Sequence, residues 1–374
     1  MRENKALGII LPGGDNEQMG VLIEKRTVGS IPFGGRYRMI DFILSGMVHA
    51  GIWDVGVITR NKYESLMDHL GNGSDWDLAR KNGGLTLLPP FLHQSGSGAF
   101  RGEIESLATY QGYIRKCEAA YVVLANADIV TSFDLDAVIE RHAQSGADLT
   151  IVANTVRSRE DLGERALVLT ADGDDHITDI AISPKWQGPC LRSLGVVVIE
   201  KNLLLRQIED LYSHSRFSLI QDLIQGRCGD LDMRVYRLDG YCARVQNIVS
   251  YYKANMDLLN REVREELFRQ YGPVLTRVRD EPPVKYGLEA NISNSLVADG
   301  CIIEGTVEHS VIFRGVKIAK GAVVRNSIVM RGTEIGPNAS LSYGIVDRNC
   351  LIQERRTLAG FETYPVVIGK NSVV

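Results

Sequence analysis

Apolar residues recur six positions apart near the C-terminal end: Ile312, Ile318, Val324 and Met330 in one register, Val323, Val329, Ile335 and Leu341 in another. A longer repeat lies over this one. ISNSLVADG from Ile292, VEHSVIFRG from Val307, VRNSIVMRG from Val324 and LSYGIVDRN from Leu341 follow one another at intervals of 15, 17 and 17 residues. Hexapeptide spacing grouped into coils of about eighteen residues predicts a parallel β-helix, in which each short strand stacks on its counterpart one coil away and Gly and Asn take the turns. A meander of short hairpins is the rival arrangement. The repeats account for four coils, whose open ends call for a cap or a partner. The composition shifts after Pro283, which places this domain at 284–374.

Upstream, over 1–255, strand-like apolar runs alternate with helical patterns. Val55–Thr59, Ala120–Leu124, Leu149–Ala153, Leu194–Ile199 and Asp232–Tyr236 read most clearly as strands. That alternation predicts an α/β, Rossmann-like domain with a mostly parallel sheet and a ligand crevice at the carboxyl ends of its strands. Ala6–Leu11 runs into Leu11-Pro-Gly-Gly, where Gly13 and Gly14 let backbone amides approach a phosphate. Met39–Val48 has helical spacing and Trp53–Ile58 reads as the next strand. A Gly-Gly pair alone would equally be a plain turn. Gln94–Gly102 is a surface loop or a lid. Residues 256–283, with the charged amphipathic run LLNREVREELFRQY stopped by Asp280-Glu-Pro-Pro, read as a linker helix.

A chain of 374 residues, 44% apolar, holds two domains with ordinary cores. Its net charge of −4 supplies no basic field for nucleic acid or an anionic membrane surface, so small molecules and other proteins are the expected partners. No apolar run is long enough to span a bilayer and no secretory pattern precedes the first strand; the expected location is cytoplasmic. Cys117, Cys190, Cys228, Cys242, Cys301 and Cys350 are scattered without metal-ligand spacing and read as buried thiols.

Residues 31–52, IPFGGRYRMIDFILSGMVHAGI, resemble the PFGGxYRxIDFxLSNCxxSGI segment of bacterial ADP-glucose pyrophosphorylases. GNGSDWDL (71–78), GGLTLLPP (83–90) and ANMDLL (254–259) resemble later motifs of that family, so the likeness covers nearly the whole chain. It implies a nucleotidyltransferase domain of GT-A-like fold followed by a left-handed parallel β-helix.

Transfer between two phosphates requires cations, a Mg²⁺ held by carboxylates, and an in-line geometry. The residues that the resemblance assigns to these tasks have changed. In the family's LAGGxGxRL turn, Gly13 and Gly14 persist, but Asn16 and Gln18 stand for the third glycine and the arginine, with Asp15 and Glu17 adding negative charge. Val28 takes the place of a lysine. Where the family's strand ends in a Gly-Asp pair that binds metal, this chain has Asn126 and Ala127, with Asp128 one place on. Arg244 falls on the second metal-binding aspartate. Ile182-Ser183-Pro184-Lys185 replaces a Glu-Lys-Pro-Lys segment that contacts the sugar phosphate, and of the following motif Ser193 and Gly195 remain.

The expectation is therefore a degenerate substrate cleft with no catalytic residue and no bound Mg²⁺. The chain resembles the family's non-catalytic D-type subunit, which implies a regulatory or scaffolding role beside a catalytic ADP-glucose pyrophosphorylase subunit in a heterotetramer. Lys25, Arg26 and Arg38 match positions that hold phosphorylated effectors in the family, so a sugar phosphate or nucleotide effector is a possible further partner; a solvated basic loop is the alternative. Two other readings stay open: an active adenylyltransferase using Asp128, and a hexapeptide acyltransferase, for which His309 is the one candidate base.

Overall fold

The computed structural model describes residues 5–13, 17–90, 100–163 and 166–374. The chain packs as two compact units, and neither is a single stretch of sequence. The first gathers 1–13, 42–242 and 271–275; the second gathers 14–41, 243–270 and 276–374.

The first unit is built on a nine-stranded mixed sheet. Its path runs Ile177–Ile182, Leu167–Ala171, Cys190–Glu200, Tyr121–Asn126, Ala6–Leu11, Asp54–Ile58, Gly84–Leu88. Leu149–Val156 pairs with both Cys190–Glu200 and Met233–Leu238. Ala6–Leu11 is buried along its whole length because parallel neighbours flank it on both sides, which explains its unbroken apolar run. The sheet is parallel at this centre and antiparallel around Cys190–Glu200. Leu7, Ile9, Leu124, Ile151 and Ile199 meet Ile104, Leu107, Leu204 and Ile208 in one core.

The second unit contains the β-helix. Three parallel five-stranded sheets form its sides, in an arrangement consistent with a left-handed β-helix. There are five coils rather than four: the extra one is the last, with strands Leu351–Ile352, Thr357–Ala359 and Val366–Ile368, beyond the repeat that starts at Leu341. Inward positions follow the path 312, 318, 324, 329, 335, 341, 346, 352. One step per coil is therefore five residues, and the two sequence registers are one register broken by the 17-residue coil. Val323 falls on the half-buried outer side of its strand as a result.

A serine at one corner stitches the coils together. Ser310, Ser327 and Gly344 donate their amides to the side-chain oxygens of Ser295, Ser310 and Ser327 at 3.1, 3.1 and 3.0 Å. At the solenoid ends Tyr286, Leu288, Phe361 and Tyr364 lie exposed.

The helix Ile248–Asp257, capped by Asn247 and Ser250, belongs to the same unit. Its Tyr251 hydroxyl donates to the Pro32 carbonyl at 2.5 Å and its Tyr252 hydroxyl to the Asn326 carbonyl at 2.7 Å. The stretch expected as a linker helix is helical only to Gln270, in two short pieces, Arg261–Glu265 and Glu266–Gln270. Gly272, at φ 100°, and Pro273 end it well before Asp280. Among the described residues, no helix is long and apolar enough to cross a membrane.

Candidate functional site

The pairing of Leu11 with Asn126 puts Gly13 and Asn126 at the same carboxyl edge of the central sheet. Gly13 is buried in a left-handed conformation at φ 75°. Gly14, Asp15 and Asn16 lie outside the described residues, as does the Glu17 side chain. So does most of the proposed loop or lid at 94–102.

Opposite Asn126, the strand Cys190–Glu200 bulges between Ser193 and Val196. Gly195 sits in the bulge at φ 72°, its amide donating to the Ser193 hydroxyl at 3.2 Å. A Cβ on Gly195 would stand 2.6 Å from the Asn126 amide nitrogen. Gly195 is therefore required by the close approach of Asn126. Sequence reasoning singled out both residues, and the structure brings them together.

Ala127 and Asp128 follow the strand and are both buried, Asp128 with only 2% of its surface exposed. Ser193 is buried as well. Ser183 is exposed at φ 50°, its amide donating to the Ala166 carbonyl at 2.7 Å, and Lys185 is exposed. Arg244 closes the short strand Cys242–Arg244 and belongs to the second unit.

In the second unit Lys25 is exposed, whereas Arg26 and Arg38 are buried. Arg26 pairs with the fully buried Asp347, whose other oxygen accepts from the Arg348 amide at 2.7 Å. One guanidinium nitrogen of Arg26, Nη1, is buried without a hydrogen bond. The Arg38 amide donates to Asp41 at 2.9 Å. Burial, with Arg348, Arg26 and Arg279 close by, pulls the Arg38 guanidinium down to about 9 despite Asp41.

Of the six cysteines, Cys117, Cys301 and Cys350 are buried, and Cys190, Cys228 and Cys242 are half-buried. Burial raises the thiol pKa of Cys117, Cys190, Cys228, Cys301 and Cys350, which keeps these groups protonated and unreactive. His309, the one base that an acyltransferase reading had, bonds through Nδ1 to the Asn294 side-chain amide at 2.7 Å; the two sit at positive φ in matching turns of successive coils.

Residues 7–261 match the model of the family described as nucleotidyl transferase, and 283–363 match GlmU-like, C-terminal hexapeptide. The chain is 38% identical over 322 residues to the glycogen biosynthesis protein GlgD of Geobacillus stearothermophilus, covering 86% of this chain and 83% of that one. Against GlgD of Bacillus subtilis (strain 168) it is 34% identical, with 100% and 98% of the two chains covered.

A glucose-1-phosphate adenylyltransferase of Clostridium perfringens (strain SM101 / Type A) is 31% identical over the same shares, 100% and 98%. The chain belongs to the glucose-1-phosphate adenylyltransferase family. It is a glycogen-related nucleotidyl transferase homologue with a C-terminal hexapeptide domain.

The family's chemistry implies a divalent cation at the sheet edge where Asn126 lies. The donors that the described residues place there do not fit one. Asn126 offers a neutral amide and Ala127 a methyl group, while Mg²⁺ takes carboxylates and water in an octahedron. Asp128, one place beyond Ala127, is buried. Among the described residues, no three His, Cys, Asp or Glu side chains converge as metal ligands.

Sequence reasoning missed a row of arginines, Arg314, Arg331 and Arg348. Their signal lay in plain view, since each stands at the same place in the repeats quoted above.

Proposed function

We propose that this chain is a non-catalytic subunit that pairs with a catalytic ADP-glucose pyrophosphorylase chain and raises its output of ADP-glucose for glycogen synthesis. The observation that carries this reading is the sheet edge at Asn126. The scaffold that would present metal ligands is intact, down to a glycine bulge fitted against Asn126, while the ligands themselves are an amide and a methyl group.

A heterotetramer is the assembly proposed. The open ends of the β-helix, with Tyr286, Leu288, Phe361 and Tyr364 exposed, are the surfaces this pairing would cover. Lys25, Arg26 and Arg38 are proposed as contacts for a sugar phosphate or nucleotide effector. A shifted active site using Asp128 is disfavoured by the burial of that carboxylate.

Co-expression with a catalytic relative tests the proposal. Co-elution as a mixed oligomer whose turnover exceeds that of the catalytic chain alone supports it. Separate elution with unchanged turnover overturns it.

A further inference from the structure

Gly13 and Asn126 mark the carboxyl edge of the central sheet, where α/β folds take their ligands. The opposite edge carries a pocket of its own. Leu149–Val156 runs antiparallel to Cys190–Glu200, which runs antiparallel to Tyr121–Asn126, and Met233–Leu238 runs parallel to Leu149–Val156. Thr150 and Arg234, register partners and each second in its strand, therefore lie at the amino-terminal edge. A pocket of about 240 Å³ opens there, with Arg141, Gln144, Thr150, Asp174, Asp175 and Arg234 in its lining, all within the first unit.

The walls are fixed. The helix Leu135–Ser145 brings Arg141 and Gln144. The turn at 172–176 brings the two aspartates: the Asp174 and His176 amides donate to the Asp172 carboxylate at 2.9 and 3.0 Å, and the Val235 amide donates to the Asp175 carbonyl at 2.9 Å. The Asp175 carboxylate accepts from Arg141 at 3.1 Å and from Arg237 at 2.7 Å, and the Thr150 hydroxyl meets His142 Nδ1 at 2.8 Å.

Three polar side chains are left over. Among the described residues, Gln144 and Asp174 make no side-chain hydrogen bond or ion pair. Arg234 makes no hydrogen bond through its guanidinium; its Nε is buried, and the one carboxylate in ion-pair range is Asp232 at 3.6 Å. Arg234 and Asp174 line one pocket without pairing with each other. A cation and an anion held apart in this way suit a ligand that brings both missing counter-charges. The charged lining is two arginines and two aspartates, which gives a phosphate or other polyanion no net field. Clefts for drug-sized ligands measure about 300–1,000 Å³, so this one suits a smaller molecule.

We propose that this pocket binds a small zwitterion of the amino-acid class, its carboxylate on the Arg234 fork and its ammonium on Asp174, with Gln144 beside them. A guanidinium takes a carboxylate through two parallel N–H donors. The site is independent of the subunit role, because binding is read on this chain alone.

The test is calorimetric titration of the full chain at neutral pH and fixed ionic strength with glycine, L-serine and β-alanine, each compared with acetate and ethylamine. At least one zwitterion is expected to bind ten-fold or more tightly than either single-charge compound. Arg234→Gln and Asp174→Asn should each weaken that binding at least ten-fold. Arg115→Gln, exposed and paired with Glu209 elsewhere in the same unit, should leave it unchanged. Should Arg234→Gln fail to fold, Asp174→Asn decides by the same readout, since Asp174 is exposed. The proposal is overturned if no zwitterion binds, if the preference over acetate or ethylamine is under ten-fold, or if either folded variant keeps its affinity.

Discussion

Arg26 and Asp347 stand 321 residues apart and form an ion pair with side chains 4% and 0% exposed. The pair ties the segment 14–41 to the fourth coil of the β-helix inside the second unit. Removing one partner leaves a buried charge unanswered, which costs about 3–5 kcal/mol. Arg26→Met and Asp347→Asn are each expected to lower denaturant stability by that order. The double replacement should cost clearly less than the sum. Additive losses would mean that the two charges are not coupled.

Gly195→Ala should destabilise the first unit by more than about 1 kcal/mol, because alanine disfavours φ 72° and its Cβ would meet the Asn126 side chain. Combining it with Asn126→Gly should recover the steric part and leave the backbone part. Chemical denaturation of the single and double variants separates the two. A Gly195→Ala protein as stable as the parent would contradict the close approach.

Ser327 links three coils: its hydroxyl donates to the Arg325 carbonyl at 2.6 Å and accepts from the Gly344 amide at 3.0 Å, while its own amide donates to Ser310. Ser327→Ala strands the buried Gly344 amide and should cost about 1–3 kcal/mol. Thermal melting of the variant checks this. The neighbouring exposed Arg325→Gln should shift the melt far less, since a surface ion pair contributes under about 1 kcal/mol.

His142 is buried, with Nδ1 2.8 Å from the Thr150 hydroxyl, and burial lowers its pKa below 6.5 although Asp148 acts the other way. The folded state therefore resists protonation that the unfolded chain accepts. Stability is full above pH 6.5 and falls as the pH drops from there towards the lower folded value. Melting temperatures taken from pH 7.5 to 5 should decline more steeply for the parent than for His142→Asn. Parallel curves would show that His142 does not contribute to the acid sensitivity.

Much of this architecture was legible because it rests on local periodicity. The apolar run Ala6–Leu11 announced itself as a strand, and the hexapeptide spacing announced the solenoid. The last coil was not legible: Thr357–Ala359 pairs with Ser340–Ser342 through its backbone but is largely exposed, and six residues separate it from Val366–Ile368, so the repeat spacing does not carry through. Nor was the five-residue step, which merges two apparent registers into one.

At the site, Asn126 and Gly195 could be chosen from motif positions, but their contact depends on a bulge that spacing does not encode. The partner of Arg26 lay beyond any motif, since only the folded chain brings Asp347 to it.

The central claim is that the sheet edge at Asn126 and Ala127 cannot hold a divalent cation for phosphoryl transfer. Its most direct test is a turnover assay on the purified chain with ATP, glucose 1-phosphate and Mg²⁺, followed by ADP-glucose formation. The account predicts none above background at any Mg²⁺ concentration. Sustained Mg²⁺-dependent synthesis of ADP-glucose by this chain alone would contradict it.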